Sequence, residues 1–326
     1  MRHGVPRQRP GGTKGSDLIC VIAWLDMAPT ATDQAPLTRM ERFALRFAEL
    51  ANNDERGKWM QTRFLRGISY AWVRAAIAQR ILTDGLDEAI ALRPETGVMV
   101  VSNHRSFFDQ YIMMLACFMG KAPWAKHLFF PVRSNFFYDQ PLGVVVNAAI
   151  AGGAMYPPIY RQADRRALND AALDKMVEIV QTPGNVVGMH TEGTRGKGPD
   201  PYQFLPAQPG VGKLALVGKP MVIPAFILGL GNNIAQDIAQ NFSKQARRDH
   251  AVIIVFGKPV DYTDLLAEKP RPTLYKKCAD RFMASIKALS DRQRELRAQV
   301  NAAEISDDDP RWLNNRAHSK LYAYED

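Results

Sequence analysis

Cysteine is scarce in this chain. The 3 cysteines, Cys20, Cys117 and Cys278, lie far apart with no Cys-x-x-Cys pair. That spacing excludes a disulfide framework and a cysteine zinc site, and it fits a reduced, cytoplasmic setting. Long apolar runs are missing too: no stretch reaches the ~18 consecutive apolar residues that a spanning helix needs. The nearest approach, residues 140–160, is uncharged but broken by Asn147, Gly152, Gly153, Pro157 and Pro158, and reads as an interrupted element inside a fold. Acidic residues are the minority charge, 33 Asp and Glu against 42 Lys and Arg, for a formal net charge of +9. The excess favours anionic partners, whether lipid headgroups, phosphorylated small molecules or nucleic acid. With 46% hydrophobic and 23% charged residues, the chain is neither disordered overall nor short of material for a core.

The first 36 residues are rich in Pro, Gly, Thr and Arg and read as a flexible tail. Basic residues precede a short apolar run at 18–25, as in a weak signal peptide, but Asp26 is a poor flank. A disordered extension, or a start at Met27 or Met40, fits better. Residues 37–90 read as an amphipathic helical segment, helical from Leu37 to about Leu82, with Phe43, Phe47 and Leu50 on one face. Its second part sets Trp59, Phe64, Leu65, Ile68, Trp72, Val73 and Ile77 against Lys58, Arg63, Arg66, Arg74 and Arg80. Such a helix either lies in a membrane interface or covers the protein's own sheet. Residues 91–300 alternate short β-branched runs (98–102, 186–189, 221–228, 251–256) with helical stretches at 165–181 and 273–300. This alternation predicts an α/β fold, a mostly parallel or mixed central sheet flanked by helices. Residues 301–326 read as a C-terminal tail or docking strap carrying Trp312, Tyr322 and Tyr324.

Candidate chemistry gathers where runs end. The run at 98–102 delivers Asn103 and His104, with Asp109 five positions on, at the strand end where α/β proteins place ligands. Five residues on one helix are about 140° out of phase. The pair therefore needs His104 in a loop and a helix starting near Ser106. A carboxylate on one ring nitrogen would leave the other free as a base; alternatively Asp109 is a helix cap and His104 a polar loop residue. A second run ends in His190, Thr191, Glu192, Gly193, Thr194 and Arg195: a glycine turn, a hydroxyl and a guanidinium fork suited to phosphate, or a charged loop with an internal Glu–Arg pair. A third closes on Arg161, with Arg165 and Arg166 beyond it, and a fourth carries Pro224 inside an apolar strand, which suggests an edge or a bulge. Gly67-Ile-Ser69-Tyr-Ala71 lacks the closing glycine of a nucleophile elbow, and Gly210-Val-Gly212 follows no clear strand, which argues against a serine hydrolase and a dinucleotide site. A metal held by His104, Asp109, His190 and Glu192 lacks tight ligand spacing, so none is expected. No recognised nucleic-acid motif appears, so nucleic acid is not an expected partner.

These four blocks, Asn103-His104 with Asp109, a stretch ending in Arg161, Glu192-Gly193-Thr194-Arg195, and Val222-Ile223-Pro224, occur in order over about residues 95–260. In that order they resemble the glycerolipid acyltransferase family that includes the 1-acylglycerol-3-phosphate (lysophosphatidate) acyltransferases. The resemblance implies His104 as general base, Asp109 as its orienting partner, and Asn103, Arg161, Glu192, Gly193, Thr194 and Arg195 as acceptor-binding residues. It departs from the family at His190-Thr191, where many relatives have an aromatic–proline pair, at the paired prolines 157–158 and at Gln208. It implies direct acyl transfer from acyl-CoA or acyl-carrier protein, without a cofactor, to a phosphorylated lysolipid at an anionic membrane surface on the cytoplasmic face. Backbone N–H groups near 103–106 are the expected oxyanion donors, and the Met113–Met114–Met119 helix either lines an acyl tunnel or packs as core. Glycerol-3-phosphate or another lysolipid as acceptor, and a non-enzymatic basic membrane-binding protein, are the alternatives.

Overall fold

The computed structural model describes residues 37–119, 121–160 and 165–316. The tail at 1–36, the end at 317–326 with Tyr322 and Tyr324, and Arg161 lie outside the described residues. Thr38 and Glu41 open helix α1 (Arg39–Asn53) as a reciprocal capping box. Asp54 then caps α2 (Glu55–Phe64), its carboxylate accepting the Gly57 N–H at 2.7 Å. One π turn, Leu65–Ser69, joins α2 to α3 (Tyr70–Ile77).

The chain continues through β1 (Ile81–Asp84), α4 (Leu86–Ala91), β2 (Val98–Ser102), α5 (Asp109–Met119), β3 (His127–Phe129), β4 (Val132–Arg133), α6 (Ser134–Phe137), α7 (Pro141–Ala149) and β5 (Pro158–Ile159). Then follow α8 (Arg166–Gln181), β6 (Asn185–His190), α9 (Pro209–Gly218), β7 (Met221–Leu228), α10 (Ile234–Asn241), α11 (Ala246–Asp249), β8 (Val252–Phe256), α12 (Thr263–Leu266) and α13 (Pro272–Asn301). Six strands form one sheet in the order β1-β8-β7-β2-β6-β3, and β4 pairs with β5 apart from it. Among the described residues, only the β7–β8 pair is antiparallel within the large sheet. The expected α/β class with a mixed, helix-flanked sheet is therefore present. β2 and β8 are buried at every position, as strands covered on both faces must be.

Three local expectations are refined. Helix, α to Ile77 and 3₁₀ over Ala78–Arg80, stops just short of the expected Leu82, because Ile81–Asp84 pair with Val252–Val255 as an edge of the sheet. Pro224 sits not on an edge but in β7, between β2 and β8. It lies just past Ala225–Phe256, the last antiparallel pair, where Gly257 donates to the Pro224 carbonyl at 2.9 Å, so its missing N–H removes at most the return bond at the very end of that ladder. Residues 305–316 form a docked strap: Trp312 is buried and bridges to Leu82, and Thr83 N–H donates to the Arg311 carbonyl at 2.8 Å.

α1 buries Ala44, Ala48 and Asn52 and turns Phe43 and Leu50 outward; Trp59, Met60 and Ile68 are also exposed. The apolar residues of this segment are therefore divided: Leu65, Val73 and Ile77 pack into the core, and Phe43, Leu50, Trp59, Met60 and Ile68 point away from it. Met113, Met114, Leu115 and Cys117 on α5 are buried in the main core, which favours packing over a tunnel. The Met119 side chain lies outside the described residues. Among the described residues, no helix is long and apolar enough to cross a membrane.

Candidate active site

β2 lies between β6 and β7, so the loops leaving the C-terminal ends of these three strands meet. His104 leaves β2 in a non-helical loop, and α5 begins at Asp109. The carboxylate turns back: Asp109 Oδ2 lies 3.1 Å from His104 Nδ1 and accepts the N–H groups of Arg105 and Ser106, both at 2.9 Å. The cap and the imidazole partner expected as alternatives are one and the same carboxylate. An ionised carboxylate only accepts, so His104 carries its proton on Nδ1 and leaves Nε2 with a lone pair. The His104 side chain keeps 19% of its surface exposed while Asp109 keeps 2%, so the imidazole is reachable from solvent and the carboxylate is not.

Burial, and then the charge of Arg195, lower the His104 pKa to about 4, leaving the ring neutral at pH 7. Burial raises Asp109 to about 6 against the pull of His190 and two backbone N–H groups; it is still ionised at neutral pH. His190 lies flat on His104, with ring centroids 3.7 Å apart and planes 5° from parallel. His104, Asp109 and His190 each bring a potential ligand atom within 4.8 Å of the others. Imidazole lone pairs point in the ring plane, and two parallel stacked rings offer one ion no point in both planes. The geometry does not fit a shared metal.

The loop after β6 is laced to the loop after β2. Glu192 is buried, its Oε1 accepting the His104 N–H at 3.1 Å and its Oε2 the Leu205 N–H at 3.0 Å. Gly196 N–H donates to the His104 carbonyl at 2.8 Å, and Thr191 N–H to the Ser102 carbonyl at 3.0 Å. Gly193 turns the loop with φ +62°, and a Cβ there would meet Gln208 at 2.8 Å. Asn103 is buried and clamps β7, donating to the Ile227 carbonyl and accepting its N–H, both at 2.8 Å. Asn103 and Glu192 thus shape the loops rather than face solvent, whereas Gly193 is exposed and Thr194 and Arg195 are half-buried. The internal Glu192–Arg195 pair does not form: Arg195 donates to Asn232 Oδ1 at 2.7 Å and lies 6.0 Å over the Phe107 ring. Arg165 is spent elsewhere, in a buried ion pair with Glu41 of α1.

One mechanistic expectation is narrowed. The N–H groups of His104, Arg105, Ser106 and Phe107 are engaged, by Glu192, by Asp109 twice and by Asn232, so none of these four is a free donor for an oxyanion. Several site residues escaped the sequence reading. Arg133, at the end of β4, donates to the Gly193 carbonyl at 2.9 Å. Ser106 Oγ donates to the Gly231 carbonyl, and Asn232 ties Arg195 and Phe107 together. Gly231 and Asn232 follow β7, and the rule that strand C-terminal ends collect ligands pointed there. Of the rejected motifs, Ser69 is buried in the π turn, its hydroxyl on the Ile150 carbonyl at 2.5 Å. Gly210 and Gly212 lie in the first turn of α9, which a Cβ at Gly212 would drive into the Tyr275 carbonyl at 2.0 Å.

The acyltransferase family model matches residues 86–228. No curated protein sequence matches the chain. Among solved structures, the 1-acyl-sn-glycerophosphate (LPA) acyltransferase PlsC from Thermotoga maritima is similar at 17% identity and a TM-score of 0.43, over 76% of this chain and 88% of that one. The matched segment holds β2, β6, β7, the His104–Asp109 pair and the Glu192–Arg195 loop, and over those residues this chain is similar to the acyltransferase family.

Proposed function

We propose that this protein moves a fatty-acyl group from acyl-CoA or acyl-carrier protein to the free hydroxyl of a lysophosphatidate-type acceptor. The observation that carries the reading is the His104–Asp109 contact of 3.1 Å at the end of β2, beside the Arg195 loop. Neutral His104 Nε2 takes the acceptor's proton, and the hydroxyl oxygen attacks the thioester carbonyl. Asp109 holds the tautomer and balances the imidazolium. Arg195, already beside the imidazole, takes the acceptor phosphate as a fork; Arg161 and Arg133 are assigned the same duty, and Thr194 the glycerol backbone. No cofactor and no metal enters the scheme.

The outward face carrying Phe43, Leu50, Trp59, Met60 and Ile68, on a chain of net charge +9, supports peripheral attachment to anionic lipid on the cytoplasmic face. The discriminating experiment incubates the purified protein with labelled acyl-CoA or acyl-carrier protein and a panel of lysophosphatidate, glycerol-3-phosphate and uncharged lysolipid. Labelled phosphatidate is the expected product. Transfer to the uncharged lysolipid at an equal rate would remove the phosphate assignment, and vesicle binding with no transfer to any acceptor would leave only a membrane-binding protein.

A further inference from the structure

His190 has no part in the scheme above, yet it touches the base. It ends β6 beside Ser102 of β2, and its ring covers one face of the His104 ring at 3.7 Å. Its Nδ1 lies 2.8 Å from the Asn103 carbonyl oxygen and 3.0 Å from Ser102 Oγ. A carbonyl can only accept, so Nδ1 carries the proton and the ring is neutral in the Nδ1–H tautomer. Its Nε2 is buried and has no hydrogen-bond partner among the described residues, which leaves no acceptor there to stabilise a second proton. The ring is held at its edge by β2 and lies flat against His104.

We propose that His190 is a positioning residue for acyl transfer: its neutral ring is a plate that fixes the rotation of the His104 imidazole and receives the positive charge that ring acquires. The proposal rests on His104 being the base. A single bond from Nδ1 to Asp109 leaves the imidazole free to rock about that contact, and a flat neighbour at stacking distance removes the freedom. In the reaction the acceptor O–H bond breaks, an N–H bond forms at His104 Nε2, and oxygen adds to the thioester carbonyl. The C–S bond then breaks, and the proton on Nε2 passes to the leaving thiolate. Between those steps His104 is an imidazolium with Asp109 at its edge and the π face of His190 beneath it, a cation–π arrangement. The role requires His190 to stay uncharged, since a second imidazolium at that distance would repel the first. The charged groups around the pair are Asp109 from α5, Glu192 and Arg195 from the loop after β6, and Arg105 from the loop after β2.

The test uses the full chain with acyl-CoA and lysophosphatidate. His190→Ala is expected to lower kcat by about 3- to 30-fold with KM for both substrates within about twofold, because the plate acts on the charged state and not on substrate binding. His190→Phe, which keeps a flat ring, recovers most of kcat; His190→Leu, which fills the space without a π face, does not. The His190 ¹⁵N resonances are expected to report the Nδ1–H tautomer. Full kcat in His190→Ala, or equal rates for His190→Phe and His190→Leu, overturns the plate even where His104→Ala is inactive. Sustained turnover in His104→Ala removes the base assignment itself and the plate with it. Should His190→Ala fail to fold, the Phe and Leu variants decide.

Discussion

Two side chains carry the proposed chemistry at the smallest scale. Asp109 satisfies two backbone donors and one imidazole with a single oxygen, so removing its charge acts on loop and imidazole together. His104→Ala is expected to cost about 10²- to 10⁴-fold in kcat with an unchanged far-UV circular dichroism spectrum; activity near wild type would exclude the base. The sign of the pH dependence follows from Asp109, whose carboxyl burial raises to about 6. Above that pH it is ionised and orients a neutral imidazole; below it the added proton removes the acceptor for Nδ1–H. The rate is therefore expected to climb through about pH 6 and level off, a limb belonging to the coupled pair. In Asp109→Asn this limb should be lost along with most of the activity, and an unshifted limb would assign it to another group.

Secondary-structure elements make two further claims testable. α9 lies so close to α13 that a Cβ on Gly212 would stand 2.0 Å from the Tyr275 carbonyl oxygen. Backbone cannot give as a side chain would, and Gly212→Ala is expected to destabilise by about 1–3 kcal/mol in urea denaturation. Gly67, in the helical turn between α2 and α3, has nothing within 4 Å of the same virtual atom, and Gly67→Ala should stabilise by about 0.4–1 kcal/mol. Opposite signs for two glycine-to-alanine changes in one chain check the close approach directly. The outward apolar face of the α1–α3 segment is read as the membrane contact. Replacing Trp59 and Ile68, 56% and 60% exposed, with Ser should weaken flotation with anionic vesicles by at least about tenfold. Folding should be untouched, because neither side chain packs in the core; undiminished flotation would place the contact elsewhere.

Across the whole molecule, half-buried histidines govern acid stability. Burial holds His104 and His127 at about 4 and His190 at about 3, all below the ordinary 6.5. As pH falls below 6.5 the unfolded chain takes up protons at these sites that the folded chain refuses, so stability is present above 6.5 and lost on acidification. Asp109 and Asp139, raised to about 6 by burial, act the other way below pH 6 and offset part of the loss. The urea midpoint is therefore expected to fall from pH 7.5 to pH 5, most steeply just below 6.5. A midpoint that rises instead would mean that these rings are charged in the folded protein.

The sequence by itself determined the layer architecture and the chemistry on offer. Continuous apolar runs such as 98–102 and 252–256 have no stable place except a sheet covered on both faces, and His104 and the Glu192–Arg195 loop were legible because each directly follows such a run. Tertiary structure alone decided which strands are neighbours. β2 lies between β6 and β7, pairings that join residues more than 80 apart, and no local pattern encodes them. That order brings the loop after β6 against His104, stacks His190 on its ring, and draws Arg133 and Asn232 to the same place. It also turned the apolar stripe of α1 outward, because the small residues Ala44 and Ala48 approach the core more closely than Phe43 or Leu50 could. Short strands such as Ile81–Asp84 and Val132–Arg133 stayed hidden for the same reason: two to four residues carry too little periodicity of their own, and only a partner strand makes them β.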